Sequence, residues 1–290
     1  MKQLLVLSGK GGTGKTTLVS AFIKLGDIKA YADCDVDAPN LHIAINHGSI
    51  PETRDYYGLD KARINMELCT SCGICEENCR FDAINSIDGD YKVNYYSCEG
   101  CSLCEELCPV DAISLHPAIA GELILYKEDS VFSSAKLKMG SGNSGLLVTD
   151  VKKALKSAAE NVDVAIIDGS PGIGCPVIAS LSGVDMVLIV AEPSISGISD
   201  MERIIKTANN FKTRIGICIN KYDTNLGNTI KIERFCTENN LPIVGRIPFD
   251  LEAVKAVNNG LTIVDVDCAA GHAAKFVFKN TMDVLLKSNN

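Results

Sequence analysis

The residues at positions 9 to 16, Gly9-Lys10-Gly11-Gly12-Thr13-Gly14-Lys15-Thr16, have the types and spacing that hold phosphate. They satisfy the pattern G-x-x-x-x-G-K-[ST]. Glycines in such a loop let backbone N–H groups close around an anion at a helix N-terminus; the lysine neutralises the β- and γ-phosphates, and the hydroxyl ligates magnesium. Lys15 and Thr16 take those last two roles, and Thr17 completes the set of loop residues expected to touch nucleotide. The flanks agree, because a buried apolar run from Gln3 to Leu7 precedes the loop and a helical run from Lys15 to Leu25 follows it.

A second set is made of sulfur. Eight of the thirteen cysteines fall between Cys69 and Cys108, in two runs of the form C-x2-C-x2-C-x3-C. A shift of 29 residues superposes Cys69, Cys72, Cys75 and Cys79 on Cys98, Cys101, Cys104 and Cys108, and Asp82-Ala83-Ile84 on Asp111-Ala112-Ile113. The second run ends Cys108-Pro109, which matches the bacterial ferredoxin pattern for 4Fe-4S cubanes, in which the fourth cysteine of each run crosses to the other cluster. The expected sets are therefore Cys69, Cys72, Cys75 and Cys108 for the first cluster, and Cys98, Cys101, Cys104 and Cys79 for the second. Gly73 and Gly100 suit a close backbone approach to sulfur. Arg80 stands where proline is usual, a departure that touches geometry and potential rather than ligation. Structural zinc is the competing reading, but it spreads two C-x2-C pairs over one tetrahedral ion, and tandem triplets with a trailing cysteine suit cubanes better.

These groups need elements to carry them. Strands are expected at Gln3 to Leu7, Ile28 to Ala32, Glu122 to Tyr126, Val131 to Lys138, Val164 to Ile167, Met186 to Val190, Arg214 to Ile219 and Ile243 to Arg246. Helices are expected at Lys15 to Leu25, Thr149 to Glu160, Ser196 to Asn209, Thr229 to Asn239 and Ala270 to Leu286, with Gly140 to Gly145 a flexible loop into the second of these. Strands rich in Val, Ile and Leu that alternate with helices predict an α/β fold with a mostly parallel sheet covered on both faces. The phosphate-loop domain is expected over 1–61 and 115–290, and residues 62–114 form an inserted small α+β ferredoxin-like domain.

Lys10, a second lysine inside the phosphate loop, makes the segment resemble the deviant Walker A signature, KGGxGKT, of the MinD/ParA/Mrp and nitrogenase iron-protein class of P-loop ATPases. The resemblance covers essentially all of the chain outside the insertion. It implies that Lys10 reaches across an ATP-sandwiched homodimer. Asp33-Cys34-Asp35-Val36-Asp37 resembles the family's switch I, where the position of Asp35 helps to activate the attacking water. Asp168-Gly169-Ser170-Pro171-Gly172 resembles its Walker B and switch II, so Asp168 holds magnesium through water with Asp33 in support. Asn220-Lys221-Tyr222-Asp223 also fits N-K-x-D, which reads guanine in Ras-like GTPases; in this family the asparagine and a later Pro-Phe pair, here Pro248 and Phe249, border adenine. ATP is favoured, and both bases stay open.

Composition sets bounds. A net charge of −8 and dispersed Lys and Arg give no electrostatic grip on nucleic acid. No apolar run approaches the ~20 residues of a membrane span, and the opening MKQLLVLSGK runs straight into the phosphate loop, so a cytoplasmic, reduced chain without stable membrane insertion is expected. Cys34, Cys175, Cys218, Cys236 and Cys268 are expected as small buried side chains, and the stretch from Ala273 to Lys287 as a packing helix rather than a membrane-targeting one. The expected function is ATP hydrolysis by a homodimer, slow without its partner, coupled to electron transfer through two 4Fe-4S clusters toward a redox or metallocofactor-maturation partner. The alternatives are an iron-sulfur cluster scaffold or carrier and a MinD/ParA-like spatial organiser with redox-sensing clusters.

Overall fold

The computed structural model describes residues 1–45, 47, 48 and 50–287. The chain runs β1 (Lys2–Leu7), α1 (Lys15–Leu25), β2 (Ala30–Asp33), α2 (Leu41–Ala44) and β3 (Glu52–Tyr57), then through β4 (Lys61–Ile64), α3 (Ile74–Glu77), β5 (Ile84–Ile87), β6 (Asp90–Val93), α4 (Leu103–Glu106) and β7 (Ile113–His116). It continues with β8 (Ile119–Lys127), β9 (Val131–Leu137), α5 (Ser144–Ala158), β10 (Val164–Asp168), α6 (Cys175–Leu181), β11 (Met186–Ala191), α7 (Ile195–Asn210), β12 (Arg214–Asn220), α8 (Leu226–Glu238), β13 (Ile243–Ile247), α9 (Leu251–Asn258) and α10 (Ala269–Leu286).

Nine strands form one sheet in the order β13-β12-β11-β1-β10-β2-β9-β8-β3. From β13 to β9 every neighbouring pair is parallel, which is why β1, β10 and β11 are apolar along almost their whole length, with helices on both faces. The last two strands depart from the expected pattern. β8 pairs antiparallel with β9 because only Glu128, Asp129 and Ser130 join them, too few for a crossover, and β3 then adds antiparallel to β8. Helix α5 begins at Ser144, earlier than Thr149, because Leu147, Val148 and Val151 already belong to its buried stripe. On α10, Ala270, Ala274, Val277, Thr281 and Leu285 face inward, and Phe278 meets Phe22 of α1 edge-on at 5.1 Å, as a packing helix requires.

Between β3 and β8 the chain leaves this sheet. β4 pairs antiparallel with β7, and β5 with β6. In terms of the 29-residue repeat, each copy's first strand pairs with the other copy's last. The seam repeats too: Asn65 donates to the Ala112 carbonyl and Asn94 to that of Ala83, both at 2.7 Å. Strand pairing begins at Lys61 and ends at His116, one and two residues outside the expected limits 62 and 114.

Candidate functional site: a phosphate loop and two cysteine cavities

The strand–loop–helix order puts the loop at the carboxyl end of the central strand β1, with Gly14 as the residue before α1. Gly12 (φ 78°) and Gly14 (φ 89°) take left-handed backbone that other residues resist, and a side chain on Gly14 would collide with Asn220. Gly9 is packed against Asp200 of α7, while Gly11 faces open space. Two groups from the end of β12 hold the loop from outside: Asn220 Nδ2 donates to the Thr13 carbonyl (2.6 Å) and Lys221 Nζ to that of Gly12 (3.0 Å). Lys10 stands apart, half-exposed, with Nζ 3.4 Å from Ser194 Oγ and 3.9 Å from Glu192, which Lys221 approaches at the same distance.

Lys15 and Thr16 converge on Asp168 at the end of β10. Lys15 Nζ lies 2.5 Å from Oδ1, and Thr16 Oγ1 donates to Oδ2 at 2.7 Å, all but fully buried. Burial pushes the carboxyls of Asp33, Asp35 and Asp168 above their usual range, and Lys15 is the cation that pulls each of them back. Three acids sharing one lysine leave surplus negative charge, a setting that suits a divalent ion on Thr16 and Asp168. Asp33 is placed differently from the expectation. Its carboxylate accepts from the N–H groups of Asp35, Asn40 and Leu41, each at 2.9 Å, so it braces the switch I loop rather than offering free oxygens to metal.

A cavity of about 220 Å³ opens beside the loop, lined by Gly12, Gly14, Thr17, Leu18, Asn220, Ile247, Pro248 and Phe249, with α9 and the start of α10 behind them. This gathers the residues expected around the base. Asp223, the acid of N-K-x-D, accepts from the Phe249 N–H at 2.8 Å, so it fixes the Pro248-Phe249 segment.

The family model for the CobQ/CobB/MinD/ParA nucleotide binding domain matches residues 4–263. The chain belongs to this family. It is an ATPase, as the family's members are. An uncharacterized protein of Methanocaldococcus jannaschii is 32% identical over 295 residues, covering 98% of this chain and 97% of that one. Among solved structures, the cell division ATPase MinD of Pyrococcus furiosus aligns at TM-score 0.60 with 17% identity, covering 98% of this chain and 99% of that one. The septum site-determining protein MinD of Pyrococcus horikoshii, solved with Mg-ADP, aligns at 0.59 with 16% identity and 99% coverage of both. At these identities the two structures speak for the fold.

The cysteines of this family member occupy two separate cavities. One is lined by Cys69, Cys72, Cys75 and Cys108, together with Tyr91, Pro109 and Ile113. The other is lined by Cys98, Cys101, Cys104 and Cys79, together with Ala62, Phe81 and Leu115. Backbone N–H groups already point at three of the sulfurs: Ser71 at Cys69 Sγ (3.4 Å), Ala83 at Cys79 Sγ (3.3 Å) and Ala112 at Cys108 Sγ (3.2 Å). Burial pushes the Cys104 thiol up to about 11 and raises Cys75 as well, so these sulfurs become thiolates only with a cation beside them. Among the described residues no three His, Cys, Asp or Glu side chains converge as ligands of a single ion.

Of the scattered cysteines, Cys34, Cys218, Cys236 and Cys268 are buried as expected, and burial lifts Cys34 and Cys218 to about 12. Cys175 is the exception, exposed at the first position of α6. Sequence reasoning missed Tyr91, Glu192 and the role of Lys221; of these only Lys221 carried a signal, its place in N-K-x-D.

Proposed function

We propose that this ATPase works as a nucleotide-dependent homodimer whose cysteine module holds two 4Fe-4S clusters, and that its nucleotide state controls electron delivery to a redox or metallocofactor-maturation partner. The observation that carries the reading is the sorting of eight cysteines into two cavities, each with three sulfurs from one run and the fourth from the other. Four sulfurs disposed around a cavity, with N–H groups aimed at them, suit a cubane, and a bound 4Fe-4S cluster supplies one-electron transfer.

The chain's own residues give the hydrolytic half. With nucleotide bound, Lys15 would serve the β- and γ-phosphates, and Thr16 directly and Asp168 through water would hold magnesium, which neutralises charge on the phosphates. Asp35, on the loop braced by Asp33, orients the attacking water. Lys10, already half in solvent, reaches the phosphates of the opposite subunit's nucleotide. Asn220, Pro248 and Phe249 border adenine.

Anaerobically purified protein should carry about eight irons and as many sulfides per chain and absorb broadly near ~400 nm. Stoichiometric zinc in place of iron would overturn the cluster reading. With iron in place, anaerobic capture of partners on ATP-trapped protein should bring down a redox or cofactor-maturation enzyme. The fold shared with the two MinD proteins favours a second reading, a spatial organiser with redox-sensing clusters; a cell-position phenotype without electron transfer would support it.

A further inference from the structure

The two halves of the cysteine module are related by a 29-residue repeat, yet they are not electrically equal. Lys61, at the start of β4, is only 9% exposed, and its ammonium donates to the Cys98 carbonyl. Among the described residues no carboxylate comes within 4.0 Å of it, which leaves a buried cation with a carbonyl for company. Burying a charge without a counter-charge is costly, so its seat is expected to hold an anion. An oxidised 4Fe-4S cubane with four thiolates carries a net charge of about −2, and its reduced form about −3, one electron more.

The same position in the other half holds Asp90, which is exposed and of opposite sign. The backbone confirms the asymmetry. Gly100, in the second cysteine loop, packs so closely on the Asp60 carbonyl that a side chain there would collide with it, whereas its counterpart Ser71 keeps a side chain. The β4 end is thus pressed onto the second loop and has no matching seat on the first. Arg80, exposed, follows Cys79 of the second set, where Pro109 follows Cys108 of the first. Glu99, which replaces Thr70 and lines this second cavity, works in the opposite sense, though its carboxylate oxygens lie beside Gly142 in the loop before α5.

We infer that Lys61 sets the order of the two clusters: the one held by Cys98, Cys101, Cys104 and Cys79 has the higher reduction potential and is where the first electron from a one-electron donor rests. The inference depends on the cluster reading proposed above. The extra negative charge of the reduced cluster is the form a nearby buried cation stabilises; Lys61 adjoins Ala62 of the second cavity's lining and its ammonium holds the carbonyl of the ligand Cys98, a position from which a charge in a low-dielectric setting is worth about tenfold in the equilibrium.

Potentiometric titration of the full chain, followed by the electron-paramagnetic-resonance signals of the reduced clusters, tests it. Wild-type protein should show two separated midpoints. Cys101→Ser should alter or remove the higher-potential signal, and Cys72→Ser the lower. The reverse assignment overturns the inference. Lys61→Gln should lower the higher midpoint alone, by about 59 mV for each tenfold change in a one-electron equilibrium, while Lys61→Arg keeps the wild-type order. Equal shifts of both midpoints, or no shift, also overturn it. If Lys61→Gln does not load iron, the two serine variants decide by themselves. Wild-type protein that holds no clusters refutes the cluster reading instead, a result distinct from clusters in the wrong order.

Discussion

Lys15 has two occupations that compete. Without nucleotide it neutralises Asp168 in a pair that is almost completely buried, and with nucleotide it must serve the phosphates. Removing it therefore acts on stability and on turnover. Lys15→Ala should abolish ATP hydrolysis to below ~1% of wild type, by loss of the group that stabilises the transferring phosphoryl. It should also cost about 3–5 kcal/mol in nucleotide-free protein, because Asp168 is left buried without a counter-charge. Pairing it with Asp168→Asn should recover most of that stability and none of the activity. Urea titrations of wild type, the single variants and the double variant measure the coupling directly. If the double variant is no more stable than Lys15→Ala, the resting pair is not the source of the loss.

At the scale of elements, Asp250 ties two helices together beside the nucleotide cavity. One oxygen accepts from the Glu252 N–H at the start of α9 (2.9 Å), the other from the Ala270 N–H at the start of α10 (3.0 Å). The Ala270 bond is the main cause that holds this carboxyl below its usual range, so the ionised form is favoured in the folded chain. A depressed acid stabilises the fold above its unfolded pKa and loses that contribution as pH falls through the folded value. Asp250→Ala should then cost about 1–2 kcal/mol near pH 7, with the gap between variant and wild type unchanged from pH ~5 upward and narrowing below pH ~4. A gap that stays constant into acid would show that the carboxylate charge plays no part. Helix α9 is also a lesson in legibility. Asp250 followed by Leu251-Glu252-Ala253-Val254 is an N-cap with good helix formers, yet a helix of eight residues was too short for periodicity to assert itself. The phosphate loop, the parallel strands and the cysteine sorting were legible because each rests on local spacing. The antiparallel edge strand β3 was not, since ETRDYY buries only Tyr56 and gains its place from β8, more than sixty residues away. The brace made by Asp33 and the pressure of β4 on Gly100 were hidden for the same reason: both depend on backbone contacts that no motif encodes.

For the whole molecule, the question is how a nucleotide could be felt by the cysteine module. In chain order the insertion follows the segment that resembles switch I. The contacts point elsewhere, to the loop before α5. A Cβ placed on Gly140 would lie 3.3 Å from the Tyr96 ring, and one on Gly142 3.2 Å from the Glu99 carboxylate, so the second cysteine loop rests on this segment. Five residues after Gly140, Gly145 is packed on Cys175 at the head of α6, with its virtual Cβ 3.3 Å from Cys175 Cβ. Cys175 comes three residues after the end of switch II, where the Gly172 N–H reaches the Ser8 carbonyl beside the phosphate loop and Ser170 Oγ reaches the Cys34 carbonyl in switch I. The links combine backbone contacts, at Gly145–Cys175 and Gly172–Ser8, with side-chain ones from Tyr96, Glu99 and Ser170, all closely packed. If this is the route and the proposed clusters are present, magnesium-ATP should move the midpoint of the one assigned to Cys98, Cys101, Cys104 and Cys79 and leave the other in place. Tyr96→Ala, which removes a ring that is 75% exposed and should leave folding intact, should shrink that ATP-dependent shift while hydrolysis at saturating ATP stays within about twofold, since the ring touches neither the phosphate loop nor Asp168. A shift of undiminished size in Tyr96→Ala would exclude this contact as the link, and a wild-type midpoint indifferent to ATP would dissolve the coupling altogether.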